Sequence, residues 1–144
     1  SPLRPERFVT RKITAAAARI AAGKQDRLRL GNLDIVRDWG WAPEYVVAMW
    51  RMLQVETPDD FIVATGQSSS LEDFVSAAFE SVGLDWRQHV EIDQSLGRPA
   101  DLQWSGGIAD KAASKLGWRA TLLMPDVARL MVEADHALVI GTDG

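Results

Sequence analysis

Two arginines stand where a doubly charged anion could be met. Arg37 precedes Asp38-Trp39-Gly40, and Arg98 precedes Pro99, whose ring biases the residue before it toward an extended backbone. A guanidinium is planar, permanently charged and able to contact two phosphate oxygens at once, so two of them on separate irregular segments suit a diphosphate. Taken singly, an arginine in a loop is more often solvated or paired with a neighbouring acid. Lys12 is a third cation, near the start of an expected helix. The unpaired N–H groups of a first turn also favour an anion, although a lysine there is commonly just solvated.

The elements that must position these groups follow from apolar spacing and from glycine and proline. Val9, Ile13, Ala16, Ala17 and Ile20 recur at helical intervals, and Gly23 terminates them. Leu28-Arg29-Leu30 alternates as a short strand does, and residues 35–39 form a second extended piece. Pro43 suits the first turn of a helix carrying the apolar stripe Val46, Met49, Trp50 and Leu53, which Pro58 ends. Residues 61–64, Phe-Ile-Val-Ala before Gly66, read as a buried strand.

Ser70 with Asp73 three residues on resembles a capping box, followed by the amphipathic set Leu71, Phe74, Val75, Ala78, Phe79 and Val82. Residues 84–107 lack a period and read as connecting loop with a strand near Val90. Ile108, Ala112 and Leu116 before Gly117 mark a short helix. A last helix opens at Pro125, with Val127, Leu130, Met131, Ala134 and Leu138 facing inward. The expected fold is a mixed α/β lobe of about five helices with several short strands, not a doubly wound sheet. Residues 1–138 form one lobe and residues 139–144 a fraying tail.

With 144 residues, 47% of them apolar, the chain is long enough to bury a core. A net charge of −4 from 16 basic and 20 acidic interspersed residues gives no general attraction to nucleic acid. The absence of cysteine excludes disulfides, thiol nucleophiles and thiolate metal sites, and is compatible with a reducing cytosol. No apolar run approaches the roughly 18 residues of a membrane span, so the expectation is a chain with no membrane partner. The six tryptophans are expected to serve packing.

Phe8-Val9-Thr10-Arg11-Lys12-Ile13, Gly31-Asn32-Leu33-Asp34 and Arg37-Asp38-Trp39-Gly40 together resemble the substrate-binding half of GDP-mannose 4,6-dehydratases, which are extended short-chain dehydrogenases/reductases. The resemblance runs from Ser1 to about Asp135. It is strongest through Gly66, moderate from Arg98 to Trp118, and weakest through residues 84–97. It implies that Arg37 and Arg98 engage the pyrophosphate of a GDP-sugar and that Asp101 accepts ribose hydroxyls, a role suited to an acceptor-only carboxylate. The family often carries Glu at that position, one methylene longer. Val9 and Lys12 would line the pocket near the guanine and its phosphates, and Asn32 would lie close to the base or ribose, although Gly-Asn is also an ordinary turn. Trp41, where the family frequently has histidine, is assigned to packing.

The resemblance further implies conversion of GDP-mannose to GDP-4-keto-6-deoxymannose in the cytoplasm, with NADP held by an amino-terminal portion not in this chain, and homo-oligomers of the parent. The chain itself carries no Gly-x-Gly-x-x-Gly turn for a dinucleotide pyrophosphate. Its one tyrosine, Tyr45, is followed four residues later by Met49 where the family's acid/base needs lysine. His89 and His136 are too far apart for a local metal site, and Gly66-Gln67-Ser68 lacks the second glycine of a nucleophile elbow. The expected function is a GDP-mannose-binding lobe with no catalytic, cofactor or metal residues of its own. A non-catalytic nucleotide-sugar module and the lobe of a related epimerase or reductase stand as alternatives.

Overall fold

Helix α1 (Val9–Ala21) buries Ile13 and Ile20 together with the run Ala15, Ala16, Ala17 and Ala18. Four small side chains in succession let a neighbour approach closely, and α5 (Met124–Gly141) is the element it packs against most extensively. Helix α3 (Leu71–Glu80) closes the main core with Phe74, Val75, Ala78 and Phe79, which meet Val127, Met131 and Val132 of α5. This computed structural model describes residues 1–96 and 102–141.

The start of α3 is fixed locally: Ser70 Oγ accepts from the Asp73 N–H at 3.0 Å, and Asp73 Oδ2 accepts from the Ser70 N–H at 3.0 Å. This reciprocal cap satisfies two backbone donors that a helix start would otherwise leave unpaired.

Polar groups of α1 and α5 meet across the core. Arg11 of α1 pairs with Asp135 of α5 at 2.6 Å, and Thr14 Oγ1 donates to the same carboxylate at 2.7 Å. Asp135 is buried, and burial pushes its carboxyl up from the ordinary range against the opposing pull of Thr14 and Arg11.

The strands are short and form two pairs. Strand β1 (Leu28–Leu30) lies parallel to β4 (Val90–Ile92), with Leu28 opposite Val90. Strand β2 (Val36–Asp38) lies antiparallel to β3 (Ser68–Ser70), with Arg37 opposite Ser69. On its other edge, Val36 donates to Gln103 O at 2.8 Å and accepts from Ser105 N at 3.0 Å. Strand β2 is therefore flanked on both sides.

A second, smaller core joins α2 (Ala42–Met52) to α4 (Asp110–Leu116) through Ala48, Ala112, Leu116 and Trp118, with Tyr45, Met52, Val55, Phe61 and Val63 around them. Trp118 Nε1 donates to Glu44 O at 2.9 Å, and the Glu44 carboxylate accepts from Thr121 and Leu122. Glu44 thereby ties α2 to the segment that enters α5. At Trp86–Gln88 and Gln94–Leu96, on either side of β4, the chain makes 3-10 turns.

Five helices and few strands agree with the sequence, with three differences. Residues 61–64 form no strand, because both edges of β2 are occupied and Phe61 and Val63 turn into the α2–α4 core. The strand lies at Ser68–Ser70 instead. The spacing left the facing of the α2 stripe open: the inward face is Tyr45, Ala48 and Met52, while Val46, Met49, Trp50 (60% exposed) and the following Leu53 (82% exposed) face outward. Helix α5 buries Val127, Ala128, Met131, Val132 and Asp135, leaves Leu138 exposed, and continues through Gly141 where a fraying end was expected. Finally, Trp39, Trp41, Trp86 and Trp118 pack as expected, but Trp50 and Trp104 are exposed. No helix among the described residues is long and apolar enough to cross a membrane.

Because Asp135 is 3% exposed and its partner spans from another helix, Asp135→Ala leaves the largely buried Arg11 guanidinium without its counter-charge. Urea unfolding should then show a loss of about 3–5 kcal/mol, the range for breaking a buried pair. A loss below about 1 kcal/mol, as for a surface pair, would contradict this packing.

Candidate functional site

Arg37 sits in the middle residue of β2, half-buried, with its backbone locked opposite Ser69. Its Nη1 donates to Val36 O, one residue back, at 2.7 Å. Among the described residues its guanidinium has no carboxylate partner. Most other arginines are engaged: Arg11 with Asp135, Arg19 with Glu6, Arg27 with Glu91, Arg29 with Asp93, and Arg129 with Asp126 and Glu133. Arg51 donates to the carbonyls of Leu116 and Gly117 at the end of α4. A partly desolvated cation without a counter-charge is a place for an anion.

The acid nearest in sequence, Asp38, is turned elsewhere. Its Oδ1 accepts from Thr65 N at 3.1 Å and from Thr65 Oγ1 at 2.8 Å, and its Oδ2 accepts from Gly66 N at 2.9 Å. Gly66 has φ +80°, a left-handed conformation that side chains disfavour, and this turn delivers the chain into β3. The Tyr45 ring lies against Gly40, where a Cβ would clash with the hydroxyl, and meets Trp118 edge-on with centroids 5.7 Å apart. Burial first, and then the Asp38 and Glu44 carboxylates, push the Tyr45 hydroxyl up to about 12.

Lys12 lies in the first turn of α1 and donates from Nζ to Arg29 O of β1 at 2.6 Å. Val9, the first residue of α1, is 36% exposed. Asn32 follows β1, and its Oδ1 accepts from the Asp34 N–H at 2.8 Å in a side-chain turn. It opens into a cavity of about 550 Å³ at the carboxy-terminal ends of β1 and β4, lined also by Asp34, Glu72, Trp86, Ile92 and Gln94. Among the described residues Trp86 Nε1 is buried without a hydrogen-bond partner.

Lys12 and Asn32 are thus gathered around β1. Arg37 stands on the β2–β3 pair and does not line that cavity; the chain between them is held to the start of α3 by Leu71 N to Ile35 O at 2.9 Å and Glu72 N to Leu33 O at 3.2 Å. Arg98 and Asp101 lie outside the described residues. The segment that follows them, residues 103–105, runs beside Val36. Sequence reasoning passed over Asp38, Thr65 and Trp86. Only the adjacency of Asp38 to Arg37 pointed to the first, and nothing local pointed to the others. No group of three or more His, Asp or Glu side chains among the described residues could hold a metal ion.

Comparison with known proteins gives a family model described as GDP-mannose 4,6 dehydratase, matching residues 1–131. GDP-mannose 4,6 dehydratase 1 of Arabidopsis thaliana is 47% identical over 138 residues, covering 96% of this chain and 38% of that protein. GDP-mannose 4,6-dehydratase of Sinorhizobium fredii is 43% identical, covering 99% and 45%. The chain spans about two-fifths of the length of these relatives. Among solved structures, RMD from Pseudomonas aeruginosa complexed with NADPH superposes with a TM-score of 0.83 at 18% identity, covering 94% of this chain and 44% of that one. A dTDP-glucose 4,6-dehydratase from Bacillus anthracis in complex with NAD gives 0.77 at 12% identity, covering 93% and 40%. At those identities the structural likeness speaks to the fold.

With a single tyrosine in the chain, tyrosinate absorbance reports on Tyr45 alone. In an alkaline titration its midpoint should fall near 12, not at the ordinary 10. A folded value above the unfolded one means that its stabilising contribution is full below about pH 10 and is lost as the pH rises through about 12. A midpoint at 10 would show a solvated hydroxyl and contradict the packing described.

Proposed function

The chain belongs to the GDP-mannose 4,6-dehydratase family, and from that premise we propose that residues 1–138 form the lobe that binds a GDP-sugar. The placement of Arg37 carries this reading: a half-buried guanidinium on a doubly flanked strand, with no carboxylate partner among the described residues. In the proposed site Arg37 meets the diphosphate, with Arg98 as the second cation and Asp101 as acceptor for the ribose hydroxyls. Val9 and Lys12 serve the base and phosphate end, and Asn32 the base or ribose. A cation fixed on a strand, as Arg37 is, neutralises and orients the substrate without reorganising, which is how a binding lobe contributes to a rate.

The parent protein, in this proposal, converts GDP-mannose to GDP-4-keto-6-deoxymannose in the cytoplasm with NADP held by a dinucleotide-binding portion outside this chain. The residues present do not fit NADP: the glycine-rich turn is lacking, and the Tyr45 hydroxyl lies against Gly40 beside Asp38. The lobe's part is binding and orientation. The outward stripe of Val46, Met49, Trp50 and Leu53 on α2 is the surface we assign to contact with that other portion, since an apolar face of this kind is costly to leave in water.

Calorimetric titration tests the reading. GDP should bind more tightly than UDP, and Arg37→Ala should weaken GDP by about 1.5–3 kcal/mol, the range for a hydrogen bond to a charged group. Equal affinity for the two nucleotides would remove the guanine preference. Unchanged GDP affinity in Arg37→Ala would remove the site.

A further inference from the structure

We propose that Asp38 is a positioning residue for the anion site. Its carboxylate holds the Thr65–Gly66 turn, which fixes the strand carrying Arg37 and keeps from Arg37 the acid that would neutralise it. This inference rests on the GDP-sugar reading of the site and adds to it a residue that touches no ligand.

Three observations carry it. First, successive side chains of a strand point to opposite faces, so Arg37 and Asp38 diverge although they are adjacent. Second, both Asp38 oxygens are occupied: Oδ1 by the amide and hydroxyl of Thr65 at 3.1 and 2.8 Å, Oδ2 by the amide of Gly66 at 2.9 Å. Charge-assisted bonds to backbone amides are strong ones, and a carboxylate so engaged has little left to offer a guanidinium. Third, the turn it holds is the one that sets the β2–β3 register, in which Asp38 faces Ser68 and Arg37 faces Ser69. A slip of one residue would send Arg37 to the opposite face.

The sign of the effect separates positioning from proximity. A carboxylate close to an anion site repels the anion, so a bystander aspartate, once neutralised, leaves GDP binding unchanged or tightens it. A positioning aspartate does the reverse. In Asp38→Asn one acceptor becomes an amide donor facing a backbone N–H that has lost its partner, the turn loosens and Arg37 loses its aim.

The test is a double-mutant cycle read by GDP titration of the whole chain. Asp38→Asn should weaken GDP about tenfold with Arg37 present, and change affinity less than about twofold in the Arg37→Ala background, because residues acting through one another are not additive. Thr65→Val, which removes one donor and leaves the carboxylate intact, should weaken GDP in the same direction. It decides the matter if Asp38→Asn fails to fold. Unchanged or tighter binding in these variants, or equal losses in both backgrounds, overturns the positioning role while leaving the GDP site standing. Failure of the unaltered chain to bind GDP overturns both.

Discussion

A carboxylate can accept several hydrogen bonds but carries one charge, and at Asp38 that capacity is used inside the fold. By holding the Thr65 and Gly66 amides it fixes where the chain turns into β3, and so which residues of β3 lie beside β2. Strand β2 then has one edge on residues 68–70 and the other on residues 103–105. Distant stretches of sequence are brought to one short strand, and Arg37 is its middle residue. Among the described residues it has no carboxylate partner, and the acid next to it in sequence is bonded elsewhere.

Around that strand are two cores of different character. The α1–α3–α5 core buries large apolar side chains behind an alanine-lined contact, and is pinned by the Arg11–Asp135 pair. The α2–α4 core is smaller and leans on polar ties: Glu44 to Thr121 and Leu122, Trp118 Nε1 to Glu44 O, and Asp59 to Lys111 and Lys115 at 2.5 and 3.0 Å. The two lysines hold the Asp59 carboxyl well below its ordinary range, but the pair is open to solvent and screened. The α2 side is therefore the less self-sufficient part of the lobe. It also carries the outward apolar stripe, which accords with a chain spanning about two-fifths of its relatives' length.

Legibility in the sequence followed the range of the interactions concerned. Helix α3 was readable because its start signal, Ser70 with Asp73, and its apolar set act within a few residues. Gly117, at φ +60°, ended α4 for a similarly local reason. Residues 61–64 were misread as a strand because β-branched and aromatic residues describe a half-buried surface of any kind, and both edges of β2 had gone to other segments. The serine run that became β3 has no apolar alternation, and its pairing comes from the turn held by Asp38. On α2 the apolar stripe was legible but its facing was not, since spacing shows that a stripe exists and not which body covers it. The cations at Arg37 and Lys12 could be picked out by type and resemblance. That Arg37 has no carboxylate partner among the described residues depends on where Asp38, 28 residues from Gly66, finds its partners.

The central claim is that Arg37 meets a diphosphate, and a crystal structure of the chain with GDP bound tests it most directly. The account predicts a guanidinium nitrogen of Arg37 about 2.7–2.9 Å from a phosphate oxygen, with Asp38 still bonded to Thr65 and Gly66. A diphosphate bound away from β2, or an Arg37 side chain paired with a carboxylate while GDP occupies another surface, would contradict it.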